Sequence, residues 1–152
     1  KDRDAMLAGI ADGSVDVIAT DHAPHHADEK HVEYDRAPFG IVGLETAIPI
    51  ALDKLVHAGV IGLPRLVELM SVNPAKILNV SGGSLAEGQL ADITILAPEQ
   101  SITIDRARLV SKSTNTPYHG WTFRGVAAMT IVGGRVVYVN GAAGLAQAAD
   151  GQ

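Results

Sequence analysis

Four side chains that can bind metal ions or move protons follow an apolar run near the start of the chain. Residues 15–26 read VDVIATDHAPHH, which places Asp21, His22, His25 and His26 within six positions. Carboxylate and imidazole groups are common protein ligands of zinc-like divalent ions. A carboxylate beside such an ion can also take a proton from attacking water. The cluster therefore predicts part of a metal-assisted hydrolytic site.

Asp21 itself has two interpretations. It directly follows residues 15–20, whose continuous apolar character predicts a parallel strand covered on both faces. The carboxyl ends of such strands are where barrels and open α/β sheets build their active sites. Alternatively, Asp21 caps the loop after it by accepting hydrogen bonds from backbone N–H groups. Position alone does not separate the two.

The remaining histidines carry weaker signals. His26 and His31 are interpreted as solvated loop residues, and His22 is left open between a ligand and a bystander. His57 stands at the end of a predicted helix, where a positive charge is favourable. His119, within TPYHGW, is assigned to a turn.

A complete zinc site needs about four ligands in a tetrahedral array. The loop after residue 20 is interrupted by Pro24 and is a poor scaffold for so many. The first residues, KDRDAMLAGIADGSVDV, read as a helix, a glycine turn and a buried strand, which is the second half of an α/β repeat. We therefore expect this chain to be part of a longer protein, whose preceding strands carry the other ligands.

Hydrophobic periodicity predicts a helical first part of the chain. A loop of about twenty residues, 21–40, interrupts it, and loops of that length in compact domains are usually functional or disordered. Asn73 and Pro74 are expected to be the N-cap and first residue of the last helix. Pro49 is expected to kink its helix or mark its true start. The predicted helices cover residues 4–10, 44–58, 63–70 and 74–78.

From Gly82 onward the chain is β-rich and punctuated by glycine. VGGR, residues 132–135, separates two apolar runs and predicts a hairpin turn. The division is therefore an α/β part over 1–80, a small β part over 81–140 and an Ala/Gly-rich tail over 141–152 that we expect to be disordered.

Composition excludes several functional classes. The 152 residues are 47% hydrophobic and 19% charged, which is typical of a globular chain. A net charge of −5 with scattered basic residues argues against binding to nucleic acid or an anionic membrane. No apolar run approaches the roughly 18 residues of a membrane span. The absence of cysteine removes thiol chemistry and fits a cytoplasmic location.

Several segments, taken together, resemble one family. DVIATDHAPHH, APFGIVGLETAIPIAL, LVELMSVNPAKILNV, GQLADITIL and SKSTNTPYHGWTFRGVAAMTIVGGRVVY occur in the order found in the C-terminal portion of bacterial dihydroorotases, members of the amidohydrolase superfamily. The resemblance extends from about residue 4 to 138. It implies a (β/α)8 barrel of the TIM type, with 15–20 as its last strand and 42–80 as closing helices, beside part of a small β-sandwich domain.

The resemblance also implies an activity: reversible hydrolysis of L-dihydroorotate to N-carbamoyl-L-aspartate in pyrimidine biosynthesis, with one or two zinc ions. Asp21 matches the family's aspartate that binds the metal and acts as general base on the water that the metal activates. His25 matches the histidine that contacts the substrate carboxylate. Phe39 and Gly40 match backbone contacts to the substrate, and simple loop packing is the alternative for the Phe39 side chain.

The chain departs from the family pattern in one large respect. The metal-binding His-x-His, the bridging lysine or aspartate, two later histidines and the substrate-binding arginine and asparagine have no counterpart in residues 1–152. The isolated chain is therefore expected to be inactive, and to associate with the missing part of the barrel or with itself through exposed apolar faces. In the complete protein we expect a homo-oligomer, a dimer.

Two alternatives remain open from the sequence. One is a non-catalytic dihydroorotase-like protein that is a structural partner of a transcarbamoylase, such as aspartate transcarbamoylase. The other is a related cyclic amidase of the hydantoinase or allantoinase type, since those enzymes share the Asp-His pair at the strand end.

Overall fold

The first element of the computed structural model, which describes residues 1–141, is helix α1, Asp2–Asp12. It ends at Gly13, whose φ of 90° gives the left-handed conformation that commonly terminates helices. The helix predicted over 4–10 is confirmed and extends two residues further at each end. Of its side chains only Ile10 is buried.

The strand predicted over 15–20 is wrong for this chain, because no strand in residues 1–141 pairs with that segment. A strand requires a neighbour with which to exchange backbone hydrogen bonds. The segment is instead held by single contacts, such as the Ile18 N–H donating to the Leu69 carbonyl at 3.0 Å. The side-chain amide of Asn73 also donates to the Asp16 carbonyl at 2.9 Å.

Helix α2, Ala27–Lys30, lies within the predicted loop. His26 caps it: its Nδ1 accepts from the Asp28 N–H at 3.3 Å, while its own N–H donates to the Glu29 carboxylate at 3.0 Å. Such reciprocal bonds satisfy N–H groups that a helix start leaves free. His26 is exposed as expected, but it has this structural role that the sequence interpretation missed.

The helices predicted between residues 44 and 78 are confirmed in type, with shifted bounds. Pro49 lies in the first turn of its helix, where no intrahelical donor is needed. Asn73 is not an N-cap, because its backbone is helical and the preceding π-helical turn runs directly into α5. The elements are α3, Ala47–Ala51, with a π-helical turn Leu52–Val56; α4, Leu63–Val67, with a π-helical turn Glu68–Val72; and α5, Asn73–Leu78.

The β-rich part forms a three-stranded antiparallel sheet in the order β1-β2-β3. The strands are β1, Ile93–Thr103; β2, Thr122–Val132; and β3, Arg135–Val139. The predicted hairpin is confirmed: Gly133 and Gly134 join β2 to β3 with φ of 56° and 79°, as a tight turn between twisted strands requires. Of the tail expected to be disordered, residues 142–152 lie outside the described residues.

The sheet packs against the π-helical turn after α3 through one close approach. A Cβ on Gly125 of β2 would lie 2.5 Å from the Leu52 Cβ, so only glycine fits. Leu52 is fully buried, in a core with Ala51, Leu55, Leu66 and Leu69. His57, interpreted as a helix-end charge, adds a second link, with its Nε2 lying 2.8 Å from the Pro98 carbonyl oxygen.

His119 lies in the turn before β2, as predicted, and its Nδ1 accepts from the Arg106 N–H at 3.3 Å. No helix in the described part of the chain is long and apolar enough to cross a membrane.

Candidate active site

Asp21 directly follows the extended segment 15–20 and has an unusual backbone. Its φ of 45° is left-handed, and Asn79 is the only other non-glycine residue among positions 1–141 with a positive φ. Aspartate and asparagine are among the residues with a Cβ that adopt that conformation most readily. The Asp21 side chain is exposed, and its carboxylate accepts no hydrogen bond within the described residues. The capping interpretation therefore finds no support, and the carboxylate is available to a ligand.

His22 is fixed by contacts with residue 43. Its Nδ1 accepts a hydrogen bond from the Gly43 N–H at 3.1 Å, so the neutral ring carries its hydrogen on Nε2. A Cβ at Gly43 would lie 3.1 Å from the Thr20 carbonyl oxygen. The small residue thus lets the 41–43 backbone approach the end of the extended segment, and Nδ1 of His22 is occupied.

His25 holds together the two loops that flank α2, residues 21–26 and residues 31–46. Its Nε2 lies 2.8 Å from the carbonyl oxygen of Phe39, and its Nδ1 lies 3.5 Å from the Glu29 carboxylate. The Ala23 N–H donates to the Ile41 carbonyl at 2.9 Å, which adds a direct backbone link. The loop that carries Asp21 and the loop that carries Phe39 therefore form one unit.

Phe39 and Gly40 lie where these loops meet. The Phe39 side chain is 94% exposed, so it does not pack on the loop within the described part of the chain. Gly40 has a φ of 100°, and a Cβ there would lie 2.5 Å from the Cβ of Ala23. The structure thus gives a reason for this glycine besides close approach to a ligand: without it the two loops could not touch.

Sequence interpretation missed Lys30. Its ammonium group donates to the carbonyl oxygens of Pro38 at 2.6 Å and Gly40 at 2.8 Å. These bonds connect the end of α2 to the loop that carries Phe39 and Gly40. A lysine in a charged, non-periodic loop has no signal that would distinguish this role from solvation.

A third segment, residues 110–115, reaches the site from the β-rich part and was also missed as a source of site contacts. The Asn115 side chain bonds to both loops, and Ser113 Oγ donates to the His25 carbonyl. Residues 111–115, SKSTN, are polar and show no periodicity. Their hydroxyl and amide side chains are the only sequence feature that could have indicated hydrogen bonds to the site.

Glu45, interpreted as a helix-start and packing residue, anchors the near end of that segment. Its Oε1 accepts from the backbone N–H groups of Val110 at 3.0 Å and Ser111 at 2.7 Å, and the Ser111 hydroxyl donates to both carboxylate oxygens. Burial acts to raise the pKa of Glu45, but the hydrogen bonds from Ser111 and Val110 outweigh it and lower the pKa below its ordinary value.

The described residues do not form a complete metal site. No three His, Asp, Glu or Cys side chains among them come together in a way that could hold an ion. Nδ1 of His22 and Nε2 of His25 are already engaged by Gly43 and Phe39. Among the described residues the Asp21 carboxylate has no partner, and a lone carboxylate does not hold a catalytic ion with useful affinity.

Comparison with known proteins identifies the family. The model of the Amidohydrolase family matches residues 1–137, and the chain belongs to that family. It is similar to the dihydroorotases of Geobacter metallireducens, 52% identical over 134 residues, and of Geobacter sp. strain M21, 52% identical over 140 residues. The resemblance seen in the sequence is thus confirmed.

These matches cover 88% and 92% of the chain, but the chain spans only about a third of the relatives' length, 31% and 33%. Among solved structures, the L-hydantoinase (dihydropyrimidinase) from Arthrobacter aurescens matches with a TM-score of 0.83 at 30% identity, over 88% of this chain and 31% of that one. The α/β character of the chain agrees with the family.

Proposed function

We propose that this chain supplies part of the active site of a dihydroorotase, which opens the cyclic amide of L-dihydroorotate to N-carbamoyl-L-aspartate and closes it again. The observation that carries the proposal is the junction of the two loops: the one with Asp21 and His25 is bonded directly to the one with Phe39 and Gly40. Identity of 52% to curated dihydroorotases favours this substrate among the cyclic amides.

Asp21 is the acid–base group in this proposal. It accepts the proton of the attacking water and passes it to the amide nitrogen as the C–N bond breaks, so that one carboxylate serves both halves of the reaction. Its exposed and unpaired oxygens suit this transfer. Zinc, as one or two ions, would supply a water of pKa about 7 and polarise the carbonyl. Asp21 would contribute one ligand, and residues 1–141 do not supply a complete set beside it.

His25, Phe39 and Gly40 bind the substrate carboxylate in this proposal. The backbone N–H groups of Phe39 and Gly40 donate to no acceptor in the described part of the chain, so both can face an anion. The His25 ring is already oriented by Phe39, which reduces the entropy lost when the substrate binds. The cyclic amide of the substrate would then open beside Asp21, on the loop before α2.

The proposal extends to the architecture. Residues 15–20 would become the eighth strand of a (β/α)8 barrel once neighbouring strands are present, and 81–140 would belong to the β-sandwich. A groove of about 420 Å³ beside the extended segment supports this, since it is lined largely by apolar side chains such as Val15, Val17 and Ile50. Further strands would cover these side chains.

The test is turnover by the full-length protein. Asp21→Asn should lower kcat for dihydroorotate by about 10²–10⁴-fold. In the metal-free protein it should leave the free energy of unfolding unchanged, because the carboxylate bonds to nothing in residues 1–141. Asp35→Asn, an exposed aspartate of the same long loop, is the matched control and should retain full activity.

Other outcomes would select the alternatives. Turnover of a hydantoin but not of dihydroorotate would indicate the hydantoinase class, for which the 30% identity to the Arthrobacter aurescens enzyme is the specific support. No turnover of either, together with co-purification of a transcarbamoylase, would indicate a non-catalytic partner. Full activity of Asp21→Asn would show that the role given to this residue is wrong.

A further inference from the structure

One side chain from the β-rich part of the molecule bonds to both loops of the candidate active site. Nδ2 of Asn115 donates to the Ala23 carbonyl at 2.9 Å and lies 3.4 Å from the Gly40 carbonyl, while Oδ1 accepts from the His25 N–H at 3.2 Å. Its backbone carbonyl also accepts from the Val42 N–H at 3.1 Å. A single residue thus connects the Asp21 loop to the Phe39–Gly40 loop.

The chemistry of these contacts selects an amide. Ala23 and Gly40 present carbonyl oxygens, which require a donor, and His25 presents an N–H, which requires an acceptor. Among short side chains only asparagine offers two donor hydrogens and an acceptor together. Aspartate would keep the acceptor but place negative charge against two carbonyl oxygens.

The segment that carries Asn115 is itself held at two points, both of them before Asn115. Ser113 Oγ donates to the His25 carbonyl, two residues before Asn115. Glu45 binds Val110 and Ser111 at the start of the segment. Because Glu45 follows Gly43 by two residues, the anchor lies beside the loop that Asn115 connects.

We propose that Asn115, supported by Ser113, is a positioning residue that sets the distance between the His25 ring and the Phe39–Gly40 backbone, and so shapes the part of the site that binds the substrate carboxylate. This inference rests on the proposed function. Asn115 acts on substrate binding and not on proton transfer, since it makes no contact with Asp21. A shift of about 1 Å in such a frame can cost up to about a hundredfold in activity.

The test compares Asn115→Ala and Asn115→Asp with Thr114→Ala in the full-length protein. Thr114 is exposed, and its side chain makes no hydrogen bond in the described residues, so it is a matched control. Both Asn115 variants should raise KM for dihydroorotate about tenfold or more, with kcat within about threefold of wild type. Ser113→Ala should show a smaller rise in KM, and Ser113→Thr, which keeps the hydroxyl, should restore it.

Amide hydrogen exchange of the ligand-free protein gives a readout that does not depend on turnover. Asn115→Ala should speed exchange at the His25 and Val42 N–H groups, and Thr114→Ala should not. Unchanged exchange, or faster exchange with an unchanged KM, would overturn the positioning role. If the wild type does not hydrolyse dihydroorotate, the proposed function is wrong, whatever Asn115 does. Faster exchange in Asn115→Ala would then still show that Asn115 connects the two loops. Unchanged exchange would show that it does not.

Discussion

The ring nitrogen Nε2 of His25 lies 2.8 Å from the carbonyl oxygen of Phe39. A carbonyl oxygen can only accept, so Nε2 must carry the hydrogen of this bond. The Phe39 carbonyl therefore selects the tautomer of the neutral His25 ring, and the Nε2 hydrogen is committed to that bond.

This relationship predicts the tautomer of the neutral ring. His25 should populate the Nε2–H form almost entirely, which long-range ¹H–¹⁵N correlation spectra report directly. His31, exposed and without a hydrogen-bond partner for its side chain in residues 1–141, is the internal control and should exchange between both tautomers. A dominant Nδ1–H form of His25 would contradict the bond to Phe39.

Gly125→Ala should destabilise the fold through the contact with Leu52. The added Cβ would lie 2.5 Å from the Leu52 Cβ, and the φ of 110° strains any residue but glycine. Overpacking and backbone strain together should lower the free energy of unfolding by about 3 kcal/mol.

Gly88→Ala separates the two causes. Its φ of 83° is also left-handed, but a Cβ there meets nothing within 4 Å. It should cost only about 1 kcal/mol, from strain alone. Urea unfolding of both variants measures the difference, and equal losses would show that the contact with Leu52 does not limit position 125.

Glu45 should give the unfolding free energy a distinct dependence on pH. Because its hydrogen bonds lower its pKa in the folded chain, its contribution is fully present above the unfolded-state pKa of about 4.3. The contribution is lost as the pH falls from there through the lower folded value. Glu45→Gln should be less stable than wild type at neutral pH, and the two curves should converge in acid.

Urea unfolding between neutral pH and about pH 3 tests this. Glu87→Gln is the control, because Glu87 is exposed and has no hydrogen-bond partner in the described chain. A constant difference between wild type and Glu45→Gln across this range would show that the carboxylate charge does not hold Val110 and Ser111.

Lys30→Met should release the end of the long loop. Removal of the bonds to the Pro38 and Gly40 carbonyls leaves two acceptors without their donor, so cleavage by a protease after residues 31–37 should accelerate by about five- to thirtyfold, equivalent to 1–2 kcal/mol of local stability. Lys76→Met removes an exposed lysine of α5 and should leave the cleavage rate unchanged. Equal cleavage rates for both variants would show that the Lys30 bonds to Pro38 and Gly40 do not restrain the loop.

Much of the fold follows from local patterns. The helices from α1 to α5, except α2, carry apolar residues at helical spacing, and Gly133 with Gly134 supplies the positive φ that the hairpin needs. The strand predicted over 15–20 is wrong because an apolar run does not specify a pairing partner, and no strand in residues 1–141 pairs with it. Helix α2 was missed because four residues carry too little periodicity to detect.

Some residues of the candidate site could be singled out from the sequence, and others could not. Asp21 and His25 stand out in the sequence because several ligand-type side chains follow an apolar run there, and the roles assigned to them come from the family resemblance. Lys30, Glu45 and Asn115 could not, since each acts on backbone atoms that are distant in sequence. Asn115 and His25, for example, are 90 positions apart. Nothing in either residue's local sequence encodes that pairing, and only the tertiary fold brings it about.

The Asn115 amide has a consequence for how the specificity of this site can change. All the atoms that it bonds in the two loops belong to the main chain, so the frame does not depend on the side chain at position 39, which points into solvent. That position is open to exchange for groups of other size and polarity while the loop geometry persists. Under the proposed function, position 39 is therefore the place to vary when a different cyclic amide is to be bound, because the hydrogen bonds that join the two loops stay intact.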